Sequence, residues 1–452
     1  MVRVLILNPP SNLLIYKEDR CQNEVEVHLN RVIRPPISLM GLAAISEKLG
    51  FQTKIIDAPI EKINLEQVKE ILNRWKPQWV IANVSLETLE SDLSPLKVAK
   101  GSGAKTIVFG YAPTIKDVEI IENAPFIDFA IRGEPEITFQ ELLSAALPLS
   151  KIDGLSFREN GSIKRNQNRQ FIENLDELPF AAHHLIKNNL YRVPTTGDIF
   201  TTIQTSKGCP HRCTFCLSNL LNGFKIRERS VGNLIEEIKL VVENLHIYNF
   251  FFRADTFTYD KQWVLQFCHE ILRTNLKITW FTNSRVDTVD EEMLIMMKKA
   301  GCQLISFGVE SGDSRILKYI KKGITKEQVK RTISLTKKIG ILTGALYILG
   351  LPGDTLRSIY NTIQFSKEVD SDMVEFLPFL PFLGTQAIKQ TVTKIPPLLI
   401  QKLTRYAYIQ YYCRIKTVIQ YLRNFYVKTR GLPQLINLIM VTVKTVFRLL
   451  KK

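Results

Sequence analysis

Three cysteines stand within eight residues in the run Cys209-Pro-His-Arg-Cys213-Thr-Phe-Cys216, preceded by Lys207-Gly208 and following an apolar, β-leaning stretch. Thiolates spaced this way can hold an iron–sulfur cluster, and a four-iron cluster with three protein ligands keeps one iron open for a small molecule. A Cys3His zinc site made of the same cysteines and His211 competes with that reading. Spacing alone leaves both open. Structural zinc motifs usually draw their ligands from two separated pairs, and the remaining Cys21, Cys268, Cys302 and Cys413 form no second cluster. Seven cysteines in 452 residues are too sparse for a disulfide framework. No secretory signal peptide stands before them, so a cytoplasmic, reducing location is expected.

With an aromatic residue before its last cysteine, the motif resembles the signature of the radical SAM superfamily. The resemblance implies a 4Fe–4S cluster on Cys209, Cys213 and Cys216 whose open iron chelates S-adenosylmethionine. An electron from a flavodoxin- or ferredoxin-type reductant would then cleave it to a 5′-deoxyadenosyl radical. Phe215 would stack near the adenine.

The elements that must position this loop follow from apolar patterning. Residues 198–385 hold six strand candidates, at 200–205, 250–253, 278–283, 304–309, 342–349 and 373–377, separated by helical patterns such as 231–242 and 326–339. Six strand–helix units suit a partial (β/α)6 barrel, whose functional residues lie at the carboxyl ends of strands. Polar residues fall there: Asp255 after the second strand, Arg285 after the third, Glu310 and Ser311 after the fourth, Gly350 in a glycine-rich turn after the fifth. By the resemblance these contact the amino group, carboxylate, ribose and adenine of S-adenosylmethionine. Asp287 and Asp313 read instead as helix N-caps, and Asp354 or Thr355 as the cap that leaves amides exposed after Gly350.

Residues 1–147 alternate strand candidates, at 2–7, 52–56, 79–84, 106–109 and 127–131, with helical patterns at 39–49, 65–75 and 137–146. This predicts a doubly wound parallel, flavodoxin-like domain. The runs Pro35-Pro36 to Gly41, Gly50 to Asp57, Val108-Phe-Gly110-Tyr-Ala-Pro113-Thr114 and Arg132-Gly133-Glu134 are similar to the cobalamin-binding domain fused to many radical SAM cores. That likeness implies Ser85, Thr88, Gly110, Thr114, Gly133 and Glu134 as cobalamin contacts. Two departures matter. The Asp-x-His-x-x-Gly motif is absent, and the domain's one histidine, His28, lies in an irregular polar stretch, so no protein ligand to cobalt is expected. Where relatives often show Gly-Gly, Gly110-Tyr111 would place a tyrosine beside the path of the nucleotide tail.

Between these domains, residues 148–197 carry Asp153-Gly154 and Asn160-Gly161, which read as a hairpin, with the first dipeptide between β-leaning runs, followed by a linker. His183 and His184 read as packing residues of that linker.

The net charge of +16 is lopsided. After Glu375 there are thirteen Lys and Arg and no acid, leaving +3 for residues 1–375. Residues 386–452 read as a basic helical region in which tyrosines interleave with cations. The segment 435–452 has an apolar face and a basic side, while its longest uncharged run, 432–443, is too short to span a bilayer. The pattern suits an anionic membrane surface on the inner face of the membrane. A structural cap over the barrel and RNA binding are the other readings, and the apolar content of the last segment speaks against nucleic acid.

Taken together the resemblance implies a cobalamin-dependent enzyme that methylates an unactivated carbon of a lipophilic or secondary-metabolite substrate. Relatives of this architecture also close rings on tetrapyrroles or rearrange hopanoids. A methylthiotransferase-like, RNA-modifying enzyme would carry extra cysteines in its first domain, where this chain has Cys21 alone.

Overall fold

The structure is a computed structural model and describes residues 1–11, 13, 15, 17–18, 33–193, 196–390, 393–414 and 416. Five parallel strands open the chain: β1 (Arg3–Asn8), β2 (Gln52–Asp57), β3 (Trp79–Asn83), β4 (Lys105–Phe109) and β5 (Phe129–Ile131), in the order β2-β1-β3-β4-β5. Continuous runs such as Val-Leu-Ile-Leu in β1 are buried, as strands covered on both faces require. The cover comes from α1 (Ile37–Lys48), α2 (Ala58–Glu61), α3 (Leu65–Trp75), α4 (Leu89–Gly101), α5 (Tyr111–Asn123) and α6 (Pro135–Ser144). Helix α3 shows how locally these boundaries are set: an Asn64–Gln67 capping box starts it and left-handed Lys76 ends it. Strand order reverses between β1 and β3, and ligand crevices of such sheets form at that switch point.

A hairpin of β6 (Leu155–Glu159) and β7 (Ser162–Arg165) follows. It turns at Asn160-Gly161, both at positive φ, while Asp153-Gly154 only leads into it. Strand β6 pairs antiparallel with β5, so the hairpin forms the edge of the first sheet, and that sheet continues past residue 147. In the linker, His183 meets Thr201 Oγ1 at 2.9 Å and Glu237 Oε1 at 3.0 Å, a buried packing role.

The second sheet is wholly parallel and runs in chain order from β8 (Phe200–Gln204) through β11 (Asn249–Arg253), β12 (Thr279–Ser284), β13 (Cys302–Glu310) and β14 (Leu342–Leu349) to β15 (Met373–Pro378). A two-residue ribbon of β9 (Ser206–Lys207) and β10 (Arg227–Glu228) brackets the cysteine loop and α7 (Ser218–Asn222). Outside the strands pack α8 (Val231–Leu245), α9 (Lys261–Arg273), α10 (Glu291–Lys299), α11 (Ser314–Tyr319), α12 (Lys326–Ile339) and α13 (Leu356–Val369). Phe200 and Phe251 join the apolar cluster of Leu39, Met40 and Ala43 on α1, so the two sheets share one core.

Strand β15 is an edge whose unpaired amides would otherwise invite a further strand. Helix α14 (Pro397–Tyr412) closes it with side-chain hydroxyls: Phe376 N donates to Tyr408 Oη at 3.1 Å and Val374 N to Tyr412 Oη at 2.9 Å. Tyr411 Oη donates to Ser371 O at 2.5 Å. These tyrosines, expected among cations on a membrane-facing tail, instead belong to the barrel wall, and this part of the tail is a structural cap. The amphipathic segment 435–452 lies outside the described residues. Tyr408→Phe leaves the buried Phe376 amide without an acceptor and should cost about 1–3 kcal/mol. Urea unfolding with an unchanged midpoint would show that the edge does not need the hydroxyl.

Candidate functional site

The cysteine loop leaves the barrel at the carboxyl end of β8 and has no regular structure between Gly208 and Leu217, so other segments must hold it. Asp255, just past β11, accepts from Gly208 N at 2.9 Å and from Asn222 Nδ2 at 3.0 Å. Gly208 adopts φ +92°, and a Cβ there would run into the Lys225 carbonyl. Thr214 N donates to Ile320 O at 3.0 Å, and Ala387 N donates to Thr214 O at 2.8 Å. Phe215 is buried against Ile316, Ile320, Ile348, Leu351 and Ala387, with Cys213 and Cys216 alongside.

Cationic groups face the thiols. Arg285 Nη1 lies 3.9 Å from Cys213 Sγ, while its Nε and Nη2 donate to Asp287 at 2.9 and 2.8 Å. Nη2 also donates to Lys322 O at 2.7 Å. Asp287 is therefore the partner of Arg285 and not a helix cap; α10 is capped by Asp290. Arg285 thus has most of its fork committed within the protein. Burial pushes the Cys213 thiol up, against the opposing charges of Lys322 and Arg285, so loading with iron must displace its proton. Burial and the Arg285 charge lower the pKa of His211, whose ring is neutral at pH 7.

Glu310 and Lys322 form a buried pair at 2.7 Å. Glu310 holds φ +69°, a strained backbone for a non-glycine residue and one typical of functional positions. A Cβ on Gly308 would stand 2.5 Å from Glu310 Oε1 and 2.9 Å from Lys322 Nζ, so glycine there makes room for the pair. Nothing in the sequence pattern singles out Lys322. Ser311 Oγ lies 3.2 Å from Thr362 Oγ1 and accepts from Asp313 N, and Asp313 caps α11 as expected.

Gly350 departs from expectation. Its amide and that of Leu351 donate to Asp354 Oδ2 at 3.0 and 2.9 Å, so they are not exposed to a ligand. A Cβ at Gly350 would come 2.5 Å from Ile400 Cδ1, which makes the glycine a seat for α14. Thr355 caps α13 through Ser358.

In the first domain the residues carried over as cobalamin contacts divide. Glu134 is occupied elsewhere: it accepts two bonds from Arg227, at 2.8 and 2.9 Å, and one from Ile172 N at 2.8 Å, joining the two domains. Ser85 N and Thr88 Oγ1 both donate to Asp92 Oδ2, and Asp92 also binds Lys17. Thr114 ties Gly110 O to Gly133 N. A Cβ on Gly110 would collide with the Asn83 amide oxygen. Tyr111 is buried, donates to Leu383 O at 3.1 Å and meets Phe382 edge-on at 5.6 Å.

Sequence reasoning missed what lies at the switch point. Asn8 and Asn83, at the ends of β1 and β3, line a crevice with Asp57, Leu39 and Arg253. The amide oxygens of both asparagines are buried without a hydrogen-bond partner. Burial raises the Asp57 pKa to about 6, although Tyr191 and Asn8 donate to it. Strand-end asparagines were the available signal.

Among the described residues, no three His, Cys, Asp or Glu side chains converge so as to share one metal ion. A cluster puts each thiolate on a separate iron. His211 Nε2 is buried beside this loop with no partner, an orphaned polar atom that a group bound there would meet. Three cysteines on one loop, with Arg285 beside Cys213 and the buried Lys322 nearby, fit a cluster with a small-molecule chelate.

Alanine at Cys209, Cys213 or Cys216 should therefore abolish iron and sulfide incorporation; unchanged iron in all three would refute the ligand set. Gly308→Ala should displace the Glu310–Lys322 pair and weaken S-adenosylmethionine binding about tenfold, at 1.4 kcal/mol. Its iron content should be unchanged. Calorimetric titration with wild-type affinity would return the pair to a purely structural role.

The Radical SAM superfamily profile matches residues 203–366. The chain is 32% identical over 413 residues to an uncharacterized methyltransferase of Pyrococcus horikoshii, covering 85% of this chain and 89% of the relative. It is 26% identical over 375 residues to the anaerobic magnesium-protoporphyrin IX monomethyl ester cyclase of Rubrivivax gelatinosus, covering 80% and 67%. Its fold is similar to that of the radical S-adenosylmethionine methyltransferase TsrM from Kitasatospora setae, solved with cobalamin and a 4Fe–4S cluster, at TM-score 0.66, 17% identity and coverage of 86% and 77%. The cobalamin-dependent S-adenosylmethionine radical enzyme OxsB gives TM-score 0.66 at 19% identity, covering 91% of this chain and 56% of that one. With a barrel of six parallel strands, three cysteines on the loop after its first strand and these relatives over most of its length, the chain belongs to the radical SAM superfamily.

Proposed function

We propose that this chain is a cobalamin-dependent radical SAM enzyme that methylates an unactivated carbon of a lipophilic or secondary-metabolite substrate. The observation that carries it is the switch-point crevice, where two buried amide oxygens without partners, on Asn8 and Asn83, suit the amide N–H groups that fringe a corrin ring. A bound cluster and S-adenosylmethionine would supply a radical, and cobalamin a methyl group. The chain's own residues bind and orient. Asp255 and Thr214 fix the cysteine loop, Arg285 and Lys322 offset thiolate charge, and Glu310, paired with Lys322, would accept from a ribose hydroxyl.

Space for a substrate would lie in a cleft on the inner face of the barrel sheet. Phe251, Phe281, Leu304, Leu346 and Met373 give it apolar walls, and Asn283, Ser306, Arg34 and Glu375 give it polar anchors. Such a lining suits a largely apolar molecule with few polar groups. Ring closure on a tetrapyrrole is the second reading, favoured by the likeness to the cyclase. The RNA-modifying alternative lacks support in the first domain, whose one cysteine is Cys21.

Reconstituted protein, given methyl-deuterated S-adenosylmethionine and a lipid extract under anaerobic reduction, should yield a product heavier by a deuterated methyl group. A product that has lost hydrogens without gaining the label would support cyclisation instead. Cobalamin uptake, followed by absorbance, should be unaffected by His28→Ala. Failure to take up cobalamin, reversed by Tyr111→Gly, would identify Tyr111 as an obstruction; failure in both proteins would overturn the cobalamin reading.

The lipophilic substrate and a peripheral position on an anionic membrane are supported by the acid-free tail, in which each cation near the surface adds about 1 kcal/mol. No helix among the described residues is long and apolar enough to cross a membrane. Deleting residues 431–452 should abolish flotation with anionic liposomes at low salt while S-adenosylmethionine cleavage persists. Full-length protein that fails to float would remove the membrane from the proposal.

A further inference from the structure

Helices α13 and α14 each bury one face against the barrel and carry apolar side chains on the other as well. Toward the barrel α14 turns Ile400, Ala407, Tyr408 and Tyr411, while Leu398, Leu399 and Tyr406 stand in solvent. Helix α13 likewise buries Ile359 and Ile363 and exposes Leu356 and Tyr360. Single exposed leucines are ordinary on any protein. These are grouped. Ile400 packs on Gly350 and Thr393 Oγ1 donates to Asp354 O at 3.0 Å, so α14 starts beside the turn from which α13 starts. Lys367 Nζ donates to Gln410 Oε1 at 2.8 Å toward their other ends, and the two helices therefore run side by side. Leu356, 56% exposed, and Leu398, 64% exposed, thus belong to one face. That face lies at the carboxyl end of β14, the barrel mouth, where the cysteine loop and Glu310 also are.

Charge here has one sign. Residues 355–367 and 393–414 contain no Asp or Glu, and Arg357, Lys394 and Lys402 are exposed around the leucines. A surface that must only stay soluble mixes both signs. Leucines rimmed by cations alone fit an anionic bilayer, which takes the apolar side chains into its interface and pairs the lysines and arginines with its headgroups. Tyr360 and Tyr406 have the amphipathic rings that sit at headgroup level. A protein partner fits less well, because leucine is under-represented among the residues that carry protein–protein affinity.

We propose that the starts of α13 and α14 dock on an anionic phospholipid membrane, with Leu356, Leu398 and Leu399 entering the interface and Arg357, Lys394 and Lys402 meeting phosphate groups. The proposal rests on the peripheral membrane position argued above from the tail, and it extends the contact to the folded barrel. Docking by this face turns the barrel mouth toward the bilayer from which a lipophilic substrate would come.

The test sediments full-length protein, its cluster reconstituted, with vesicles of phosphatidylglycerol and phosphatidylcholine and with vesicles of phosphatidylcholine alone. Wild type should bind the anionic vesicles at low salt, release as salt rises, and bind the neutral ones far less. L398S/L399S, which leaves the charge unchanged, and K394E/K402E should each lower the partition coefficient at least about tenfold. Thermal unfolding and S-adenosylmethionine cleavage in solution should match wild type in both, since all four side chains are exposed. L240S/L272S, at exposed leucines of α8 and α9, should partition as wild type does. Wild-type partition in both L398S/L399S and K394E/K402E would overturn the proposal, and release by deletion of residues 431–452 alone would then leave the membrane to the tail. A dimeric wild type made monomeric by L398S/L399S, with partition unchanged, would assign the face to a second copy of this chain and overturn it too. Wild type that binds neither kind of vesicle would be the separate failure of the membrane reading itself.

Discussion

An irregular loop that presents three thiols cannot use those thiols to hold itself together, and this constraint organises the barrel around it. The loop's backbone polar groups need partners from elsewhere, because buried amides and carbonyls left unpaired are costly. They find them on three different strand–helix units: Asp255 after β11, Ile320 after β13 and Ala387 after β15. Asn219, on α7, adds bonds to the carbonyls of Cys209 and His211. The loop is thereby positioned from three of the barrel's six strand–helix units.

The same logic joins the two domains. Glu134 and Arg227 have side chains only 3% and 2% exposed. Lys207, two residues before Cys209, bonds to Glu136 at 2.5 Å. Buried ion pairs gain little net stability over apolar packing, yet breaking one costs about 3–5 kcal/mol because a charge is stranded. Their effect here is directional. A displaced first domain would separate the buried charges of Arg227 and Glu134, so the pair fixes how the first sheet meets the root of the cysteine loop. The shared apolar core of α1 with Phe200 and Phe251 supplies the attraction that such pairs do not.

Strands were the most legible feature of the sequence, because strands buried on both faces read as unbroken apolar runs whatever their neighbours. The barrel strands fall within two residues of where patterning puts them, and Leu342–Leu349 coincides. The cysteine loop was legible for a different reason, since its ligands lie close in sequence. Residues whose roles depend on distant partners were not. Asp287 looks like a cap until Arg285 turns back onto it, and Glu134 looks like a ligand until Arg227, 93 positions away, arrives. Gly350 was read as an opening for a ligand, whereas the close approach is made by Ile400 of α14. A glycine reports that something comes near the backbone and cannot say what.

Tyr111 shows how one departure from a family pattern redistributes space. Its ring fills the junction between the end of β4 and the loop after β15, packed with Leu217 and Phe382. A glycine there would leave that volume to a ligand or to water. With the tyrosine in place, the carboxyl end of β4 is closed by protein, and Thr114 locks it to Gly133. The ends of β1 and β3 remain lined by Asn8 and Asn83, whose buried oxygens have nothing else to bind. The polar groups this domain leaves without partners are thus those of the switch point, where Asn83 lies against Gly110 and Asp57 and Leu39 line the same crevice. The sheet's topology and the tyrosine's bulk select the same side of the domain.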